Sequence, residues 1–213
     1  MLPGRFNILD GSCINGRVTG SIHKRFRLPG KDHSITHFPS RALPRDEPVE
    51  ENSSIIFGPV PSRRLGQSLG INNIPPKICT YGCAYCQLGP TTRSRIERQA
   101  FYKPEEILRE VGKKIEKIHR AGETVDYLSF VPDGEPTLDV NLGRSINMLK
   151  SFNIPIAVIS NSSLIRQPEV REDLAPAHWV SLKFDSVEEA LWRRVDRPHR
   201  KLELPAILEG ALE

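Results

Sequence analysis

The sequence predicts an α/β protein in which helices cover a parallel sheet. Residues 124–131, 154–160 and 178–185 have the length and apolar composition of buried strands, and amphipathic segments alternate with them. Strands this apolar are typical of parallel sheets, because helices cover both of their faces. The alternation of strand and helix indicates successive β/α units.

The composition predicts a soluble, cytoplasmic protein. Hydrophobic residues make up 38% of the 213 residues, and no run approaches the ~18 apolar residues that a membrane span needs. No apolar export signal opens the chain, and reduced cysteines suit the cytoplasm. The net charge of +4 and isoelectric point near 8.9 permit a partner that carries phosphate. The basic excess is spread thinly, so the charge indicates a phosphate-bearing partner only weakly. We expect no membrane partner.

Residues 1–54 are expected to form an irregular extension, and residues 55–213 the core. Prolines, glycines and basic pairs punctuate the extension, but no helical or strand period persists in it. A basic arm that touches RNA or a partner is less favoured than a poorly ordered leader or a mispredicted start. Cys13 stands alone there, and an isolated cysteine is more often incidental than a ligand.

The first predicted strand, residues 68–74, leads into a loop that contains three of the four cysteines. Cys79, Cys83 and Cys86 follow the spacing C-x3-C-x2-C. This spacing would also put them on one face of a helix, but the flanking prolines and glycines favour a loop. Such a loop can bind three irons of a cubane and leave the fourth iron without a protein ligand.

Zinc and disulfides are the alternatives for these cysteines. Cys3His zinc sites are common, but the nearest histidine downstream of Cys86 is His119, and zinc knuckles usually use two separate ligand pairs. A disulfide framework is less favoured, because four cysteines are few for a secreted scaffold. The spacing therefore favours an iron–sulfur cluster, with zinc as the main competitor.

The pattern C-x3-C-x-aromatic-C, with Tyr85 as the aromatic residue, resembles the signature of radical S-adenosylmethionine (SAM) enzymes. Residues 57–66 and the Cys-Gln-Leu-Gly that ends the loop resemble Fe–S oxidoreductases related to the wybutosine-synthesis and molybdenum-cofactor branches. The resemblance implies a [4Fe–4S] cluster on Cys79, Cys83 and Cys86, with SAM on the open iron. It also implies a one-electron donor of the flavodoxin or ferredoxin type, and an unidentified substrate with tRNA among the candidates.

The resemblance sharpens the fold to a partial (β/α)6 radical SAM barrel with about four β/α units. The resembling barrels continue through two more units, so we expect this chain to be a C-terminally truncated fragment. An incomplete sheet would leave its last strand, near residues 180–184, with an unpaired edge and an exposed apolar face. The active site of such a barrel lies at the carboxyl ends of its strands.

The predicted helices fill the segments between strands. An amphipathic helix is predicted over residues 104–120, because Pro104 suits its first turn and apolar residues recur at helical spacing. Gly122 can cap its end. The remaining helices are predicted at residues 142–152, 168–174, 188–195 and 202–212.

Gly134 and Glu135 follow the strand at residues 124–131 in a Gly-Glu-Pro element. In the resembling enzymes this element binds the SAM amino group. Gly134 would let the backbone approach a ligand closely, and Glu135 offers an anion to an ammonium group. An ordinary turn is the alternative, and would be preferred for an isolated Gly-Glu-Pro.

The next two strand ends supply the other candidate SAM ligands. Asn161 and Ser162 occupy a turn where the resembling family usually has Thr-Asn-Gly-Ser, and Ser162 in place of glycine leaves a plain capping turn as the alternative.

Lys183 and Asp185 alternate with apolar neighbours, so they share one face of a strand. The resemblance puts that face inside the barrel, where the two charges need a ligand or each other. A SAM or substrate site and a structural ion pair are equally favoured.

The predicted function is that of a radical SAM enzyme that cleaves SAM reductively to a 5′-deoxyadenosyl radical, which abstracts hydrogen from an unidentified substrate. A tRNA-modifying enzyme of the wybutosine type is the alternative within the family. An electron carrier without SAM chemistry is disfavoured by Glu135, and a zinc-stabilised RNA-binding module by the ligand spacing. Arg63 and Arg64 are candidates for contact with phosphate or the SAM carboxylate, with a solvated pair at least as favoured.

Overall fold

A mostly parallel sheet organises the part of the chain that the structure describes. The computed structural model describes residues 6–8, 54–91 and 93–213, so Cys13 and most of the predicted extension lie outside it. The described strands are β1 (Phe6–Ile8), β2 (Ile56–Ser62), β3 (Gly66–Ile71), β4 (Ile78–Cys79), β5 (Arg93–Ser94), β6 (Tyr127–Phe130), β7 (Ile156–Ser160) and β8 (Trp179–Leu182).

Four parallel strands and the helices between them confirm the predicted fold class. The main sheet has the order β1, β8, β7, β6, β3, β2, while β4 and β5 form a separate pair. All neighbours in the main sheet are parallel except β2 and β3. The helices are α1 (Pro104–Arg120), α2 (Leu142–Leu149), α3 (Pro168–Leu174), α4 (Glu189–Val195) and α5 (Leu204–Gly210). With β3, β6, β7 and β8 they make the four β/α units of a partial barrel.

Two strands at the sheet edges were not foreseen. β2 pairs antiparallel with β3, and its two prolines are tolerated because it is an edge strand. β1 comes from the segment for which we expected irregular structure, and it pairs with β8 from Val180 to Leu182. The prediction that the last strand has an unpaired edge is therefore wrong along these three residues. Val180 and Leu182 are also buried, so their face is not the exposed apolar surface that we expected.

Helix α1 forms as its sequence predicts. Pro104 occupies the first turn, where its missing N–H costs no hydrogen bond, and the apolar face of the helix is buried. Gly122 has a φ of +75°, a left-handed conformation that glycine adopts without strain. Its N–H donates to His119 O at 3.0 Å, and Glu123 N donates to Ile118 O at 3.1 Å. These bonds form a Schellman cap, which ends the helix where we expected.

The two faces of the sheet differ in chemistry. One face joins the apolar sides of α1 and α2 in a single buried cluster that includes Leu69, Ile71, Leu128, Phe130, Ile156 and Val158. Fully burying such a side chain contributes roughly 1.5–3 kcal/mol. The other face mixes three serines with larger side chains, among them Tyr127, Ile159 and Trp179. Ser68 and Ser129 share a hydrogen bond of 2.6 Å across this face, and Ser181 of β8 lies on it as well.

Arg98 ties the loop after β6 to helix α3. Its Nε donates to Thr137 O at 2.8 Å and its Nη2 to Asp139 O at 3.0 Å, and the same guanidinium forms an ion pair with Asp173. The side chains of Arg98 and Asp173 are only 11% and 22% exposed. The loop that carries the Gly-Glu-Pro element is therefore fixed from outside by one arginine.

We expect Arg98→Ala to lower the free energy of unfolding by about 3 kcal/mol, because it leaves a largely buried carboxylate and two carbonyls without their partner. Urea unfolding measures the change. Arg120→Ala is the matched control, since Arg120 and Glu116 form a pair that is 80% and 69% exposed; its loss should cost less than about 1 kcal/mol. Equal unfolding midpoints for the two variants would show that Arg98 does not hold the loop.

Candidate functional site

The cysteine loop and the polar strand ends lie at the same edge of the sheet. The parallel strands β3, β6, β7 and β8 all end at this edge, and such edges form the binding crevices of α/β proteins. Apart from Arg63 and Arg64, the candidate site residues of the sequence analysis follow these strand ends. They are Cys79, Cys83, Tyr85 and Cys86 after β3, Gly134 and Glu135 after β6, Asn161 and Ser162 after β7, and Lys183 and Asp185 after β8.

The turn that follows α4 holds the cysteine loop. Gly82 N donates to the carbonyls of Asp196 and Arg197 at 3.0 and 3.1 Å, and Ala84 N donates to Val195 O at 2.8 Å. On the other side of the loop, His199 N donates to Thr80 O at 2.9 Å. The loop is thus bonded through its backbone to residues 195–199, more than a hundred positions further along the chain.

The three cysteines are free and partly exposed. Cys83 and Cys86 line a cavity of about 350 Å³, which also involves Gly82, Gly89, Thr91 and Arg197. Among residues 54–91 and 93–213, no three cysteine, histidine or acidic side chains meet at one metal-ion position. In a cubane each thiolate binds a different iron, so the sulfurs need not converge on one point. Three free thiols in one loop, two of which line an open cavity, fit a cluster of that kind.

Burial disfavours the thiolate form of two of the three cysteines. It raises the pKa of Cys79 to about 12, with a smaller contribution from the neighbouring carboxylate of Glu135. Burial also raises the pKa of Cys83. Thiols bind metal as thiolates, and the charge of the metal drives off the proton. A bound metal cation would therefore favour the thiolates of Cys79 and Cys83, against the effect of burial.

Glu135 joins the ends of β6 and β7. Its side chain is 1% exposed. Oε1 accepts from Thr137 N at 3.1 Å, Thr137 Oγ1 at 2.6 Å and Ser160 Oγ at 2.8 Å, while Oε2 accepts from Asn161 N at 2.8 Å. Burial raises the pKa of Glu135, and these four donors oppose that shift. Oε2 keeps the larger remaining capacity to accept a hydrogen bond.

Asn161 connects Glu135 to the cysteine loop. Its backbone N–H binds the carboxylate, and its Nδ2 donates to Thr80 Oγ1 at 2.8 Å and lies 3.5 Å from Cys79 Sγ. Ser163 Oγ also donates to Thr80 Oγ1, at 2.7 Å. A continuous set of hydrogen bonds therefore runs from the Gly-Glu-Pro element to the first cysteine.

Gly134 allows a close approach, but the approaching group belongs to the protein. A Cβ at this position would lie 2.0 Å from Ile78 O, which is directly before the first cysteine. Glu135 N donates to that same carbonyl at 3.2 Å. The expectation that Gly134 makes room for a ligand must therefore be corrected, because the space is needed to pack the loop against β6. A backbone contact of Gly134 with SAM stays a prediction.

Ser162 keeps the backbone conformation of a glycine. Its φ is +68°, in the left-handed region where side chains are disfavoured. Two hydrogen bonds hold it there, from its N–H to Ser160 Oγ at 3.0 Å and from its Oγ to Lys183 O at 3.2 Å. The buried hydroxyl thus links the ends of β7 and β8, and a contact of Ser162 with SAM stays a prediction.

Lys183 and Asp185 form the ion pair that the sequence left as one alternative. Lys183 Nζ lies 2.7 Å from Asp185 Oδ2, and the Tyr85 hydroxyl bonds both groups. The ammonium also lies 4.4 Å from the centroid of the Tyr85 ring. Burial, followed by the hydrogen bond with Asp185, raises the pKa of Tyr85. The pair stands beside the cysteine loop, so a role in SAM or substrate binding stays a prediction.

Asp196 is a site residue that the sequence analysis missed. It is 2% exposed, and its Oδ1 lies 3.1 Å from the Tyr85 hydroxyl and 3.5 Å from Cys83 Sγ. Burial, followed by the nearby Asp185, raises its pKa to about 6. The only signal in the sequence was its place directly before the Arg-Pro-His turn.

Arg63 and Arg64 lie away from this site. They occupy the hairpin turn between β2 and β3, at the amino end of β3, whereas the cysteine loop follows its carboxyl end. The suggested contact of these arginines with the SAM carboxylate is therefore wrong.

Residues 73–210 match the Radical SAM superfamily, and this range includes all three loop cysteines and the polar residues that follow β6, β7 and β8. The chain belongs to the radical SAM superfamily. The UPF0026 protein MJ1312 of Methanocaldococcus jannaschii is 55% identical over 159 residues, which are 75% of this chain and 49% of that protein. The chain thus spans about half the length of this relative.

Two further proteins are similar to parts of the chain. An S-adenosylmethionine-dependent nucleotide dehydratase of a Thermoplasmatales archaeon is 28% identical over 112 residues, which are 53% of this chain and 36% of that protein. A solved structure of TYW1 with a bound lysine-pyruvate adduct has a TM-score of 0.47 and 17% identity, and covers 68% of this chain and 49% of that one.

Radical SAM proteins generally use a [4Fe–4S] cluster and SAM. In this chain the cysteine spacing, the free thiols and the open cavity fit the cluster.

Within the described part of the chain, no helix has both the length and the apolar character to cross a membrane.

We expect Gly134→Ala to destabilise the protein by about 1–3 kcal/mol, because the new Cβ would overlap Ile78 O and force the backbone apart. Urea unfolding of the metal-free chain measures this, and iron content after reconstitution reports on the loop. Gly112→Ala is the control, since its Cβ meets Phe152 at an ordinary 3.4 Å and alanine favours a helix. A Gly134→Ala variant as stable as Gly112→Ala would contradict the packing role.

Proposed function

We propose that this chain carries the cluster-binding and SAM-binding part of a radical SAM oxidoreductase. The observation that supports this most is one loop with three free cysteines, placed at the carboxyl ends of four parallel strands and within the range that matches the superfamily. When bound, a [4Fe–4S] cluster with SAM on its open iron supplies one-electron reductive cleavage of SAM to methionine and a 5′-deoxyadenosyl radical, which takes hydrogen from a substrate.

The cysteines and the turn after α4 would position the cluster. Cys79, Cys83 and Cys86 would each bind one iron as a thiolate. The backbone bonds from Gly82 and Ala84 to residues 195–197 fix the part of the loop between the first and third cysteines. A fixed loop would hold the cluster beside the polar strand ends, where SAM would lie.

The strand ends would orient SAM. Glu135 Oε2 is an anionic acceptor for the SAM ammonium group, and Gly134, Asn161 and Ser162 are proposed to contact the methionine part. Tyr85, Lys183 and Asp185 form a group beside Cys83 and Asp196, where they would contact SAM or the substrate. The electron would come from a flavodoxin or ferredoxin type of donor.

We expect Cys79→Ala, Cys83→Ala and Cys86→Ala each to abolish the cluster, because three thiolates are the minimum set for three irons. Iron and sulfide content and the absorption spectrum of the anaerobically reconstituted chain measure this, and production of 5′-deoxyadenosine measures SAM cleavage. Cys13→Ala is the matched control and should retain the cluster. Full iron content in Cys83→Ala, or stoichiometric zinc in the wild type, would contradict the proposal. A cluster without SAM binding or cleavage would favour an electron carrier.

We expect Glu135→Gln to weaken SAM binding roughly ten- to a hundredfold, since a hydrogen bond to a charged group is worth about 1.5–3 kcal/mol. The cluster should stay intact, because Glu135 is not an iron ligand. Equilibrium SAM binding to the reconstituted variants measures the effect. Thr137→Val serves as the control, since it removes one donor to Oε1 and leaves the carboxylate in place. If Glu135→Gln binds SAM as the wild type does, the carboxylate has only the structural role already described.

A further inference from the structure

Five cations are gathered between Arg193 and Lys201. The segment reads Arg-Arg-Val-Asp-Arg-Pro-His-Arg-Lys, and all five cationic residues are exposed. We call Arg193, Arg194, Arg197, Arg200 and Lys201 the basic strip. Its one carboxylate, that of Asp196, is buried against Tyr85 and Cys83. The expectation that basic residues are spread thinly over the chain is therefore wrong for this segment.

Structural roles account for part of the basic strip. Arg193 pairs with Glu189 at 2.6 Å and stacks on the Trp192 ring, and Lys201 lies 3.5 Å from Glu97. Basic residues in the last turn of a helix also complement its dipole, which applies to Arg193 and Arg194. No such role applies to Arg197 and Arg200, which follow the helix. Within residues 54–91 and 93–213, Arg194, Arg197 and Arg200 form no ion pair.

The basic strip borders the cysteine cavity. Arg197 lines the cavity together with Cys83 and Cys86, and its carbonyl accepts the N–H of Gly82. Tyr85 lies in the same loop, and 49% of it is exposed. An anion bound along the strip would therefore reach the cysteine loop, next to an accessible aromatic ring.

We propose that the basic strip binds the phosphates of a single nucleic-acid strand, which presents one nucleotide beside the cysteine loop at Tyr85. Four of its five cations are arginines, whose guanidinium forks bind phosphate oxygens in pairs. The cations lie on two successive elements, the last turn of α4 and the turn beyond it, which suits consecutive phosphates. Cations along an open surface next to an exposed aromatic ring are typical of sites for single strands. The inference names the substrate class of the proposed reaction and rests on that proposed function.

The test measures binding of a fluorescent single-stranded RNA of mixed sequence to the reconstituted 213-residue chain over a range of salt concentrations. We expect the three arginines without an ion pair, Arg194, Arg197 and Arg200, each to contact one phosphate. Each contact contributes about −0.7 to the slope of the logarithm of the binding constant against the logarithm of the salt concentration, so the expected slope is about −2. In the double variant Arg197→Gln, Arg200→Gln the slope should fall to about −0.7. The double variant Arg63→Gln, Arg64→Gln removes the same charge from the opposite edge of the sheet, and should keep the wild-type slope.

Three outcomes would overturn the inference. They are no binding of RNA, an equal loss of binding in the two double variants, and displacement of RNA by ATP at equal phosphate concentration. The last outcome would assign the strip to a mononucleotide.

SAM binding and iron content are measured on the same samples. A sample with cluster and SAM but without RNA binding refutes only this inference, whereas RNA binding without a cluster refutes the proposed function.

Discussion

The buried carboxylate of Glu135 is the interaction on which the site depends. Four hydrogen bonds from Thr137, Ser160 and Asn161 converge on it, so the ends of β6 and β7 cannot separate without leaving a charge unpaired in the interior. Asn161 continues this linkage to Thr80 and to the sulfur of Cys79. The position of the first cysteine is thereby set by the sheet rather than by the loop alone.

A second set of contacts holds the other half of the loop. The turn after α4 receives N–H groups from Gly82 and Ala84, and the Tyr81 ring packs edge-on against Trp192 with 6.0 Å between ring centroids. The loop is short and rich in glycine, so its own propensity does not favour one conformation. It is held between the end of β7 and the turn after α4, which are distant in sequence. The conformation of the loop therefore depends on the folded sheet.

The sequence predicted the elements that depend on local pattern. Pro104 and the Schellman cap at Gly122 bound α1 where expected, and the cysteine spacing located the loop. It did not predict β2, because two prolines in a short segment argue against a strand unless the edge position is known. It did not predict the contact of Asp196 with Cys83 either, because the two residues are 113 positions apart. Contacts of this kind depend on the fold rather than on any local pattern.

Charge links these two parts of the site. Glu135 and Asp196 each lie close to a loop cysteine and disfavour its thiolate, which adds to the effect of burial on the pKa of Cys79 and Cys83. Three thiolates next to two carboxylates would repel one another, and Lys183 offsets part of that repulsion at Cys83 and Asp196. Bound iron would offset the remaining repulsion at the sulfurs, and an ammonium group would offset it at Glu135. The conformation of the loop is therefore coupled to the charge of what it binds, as is usual where metal ligands must lose protons.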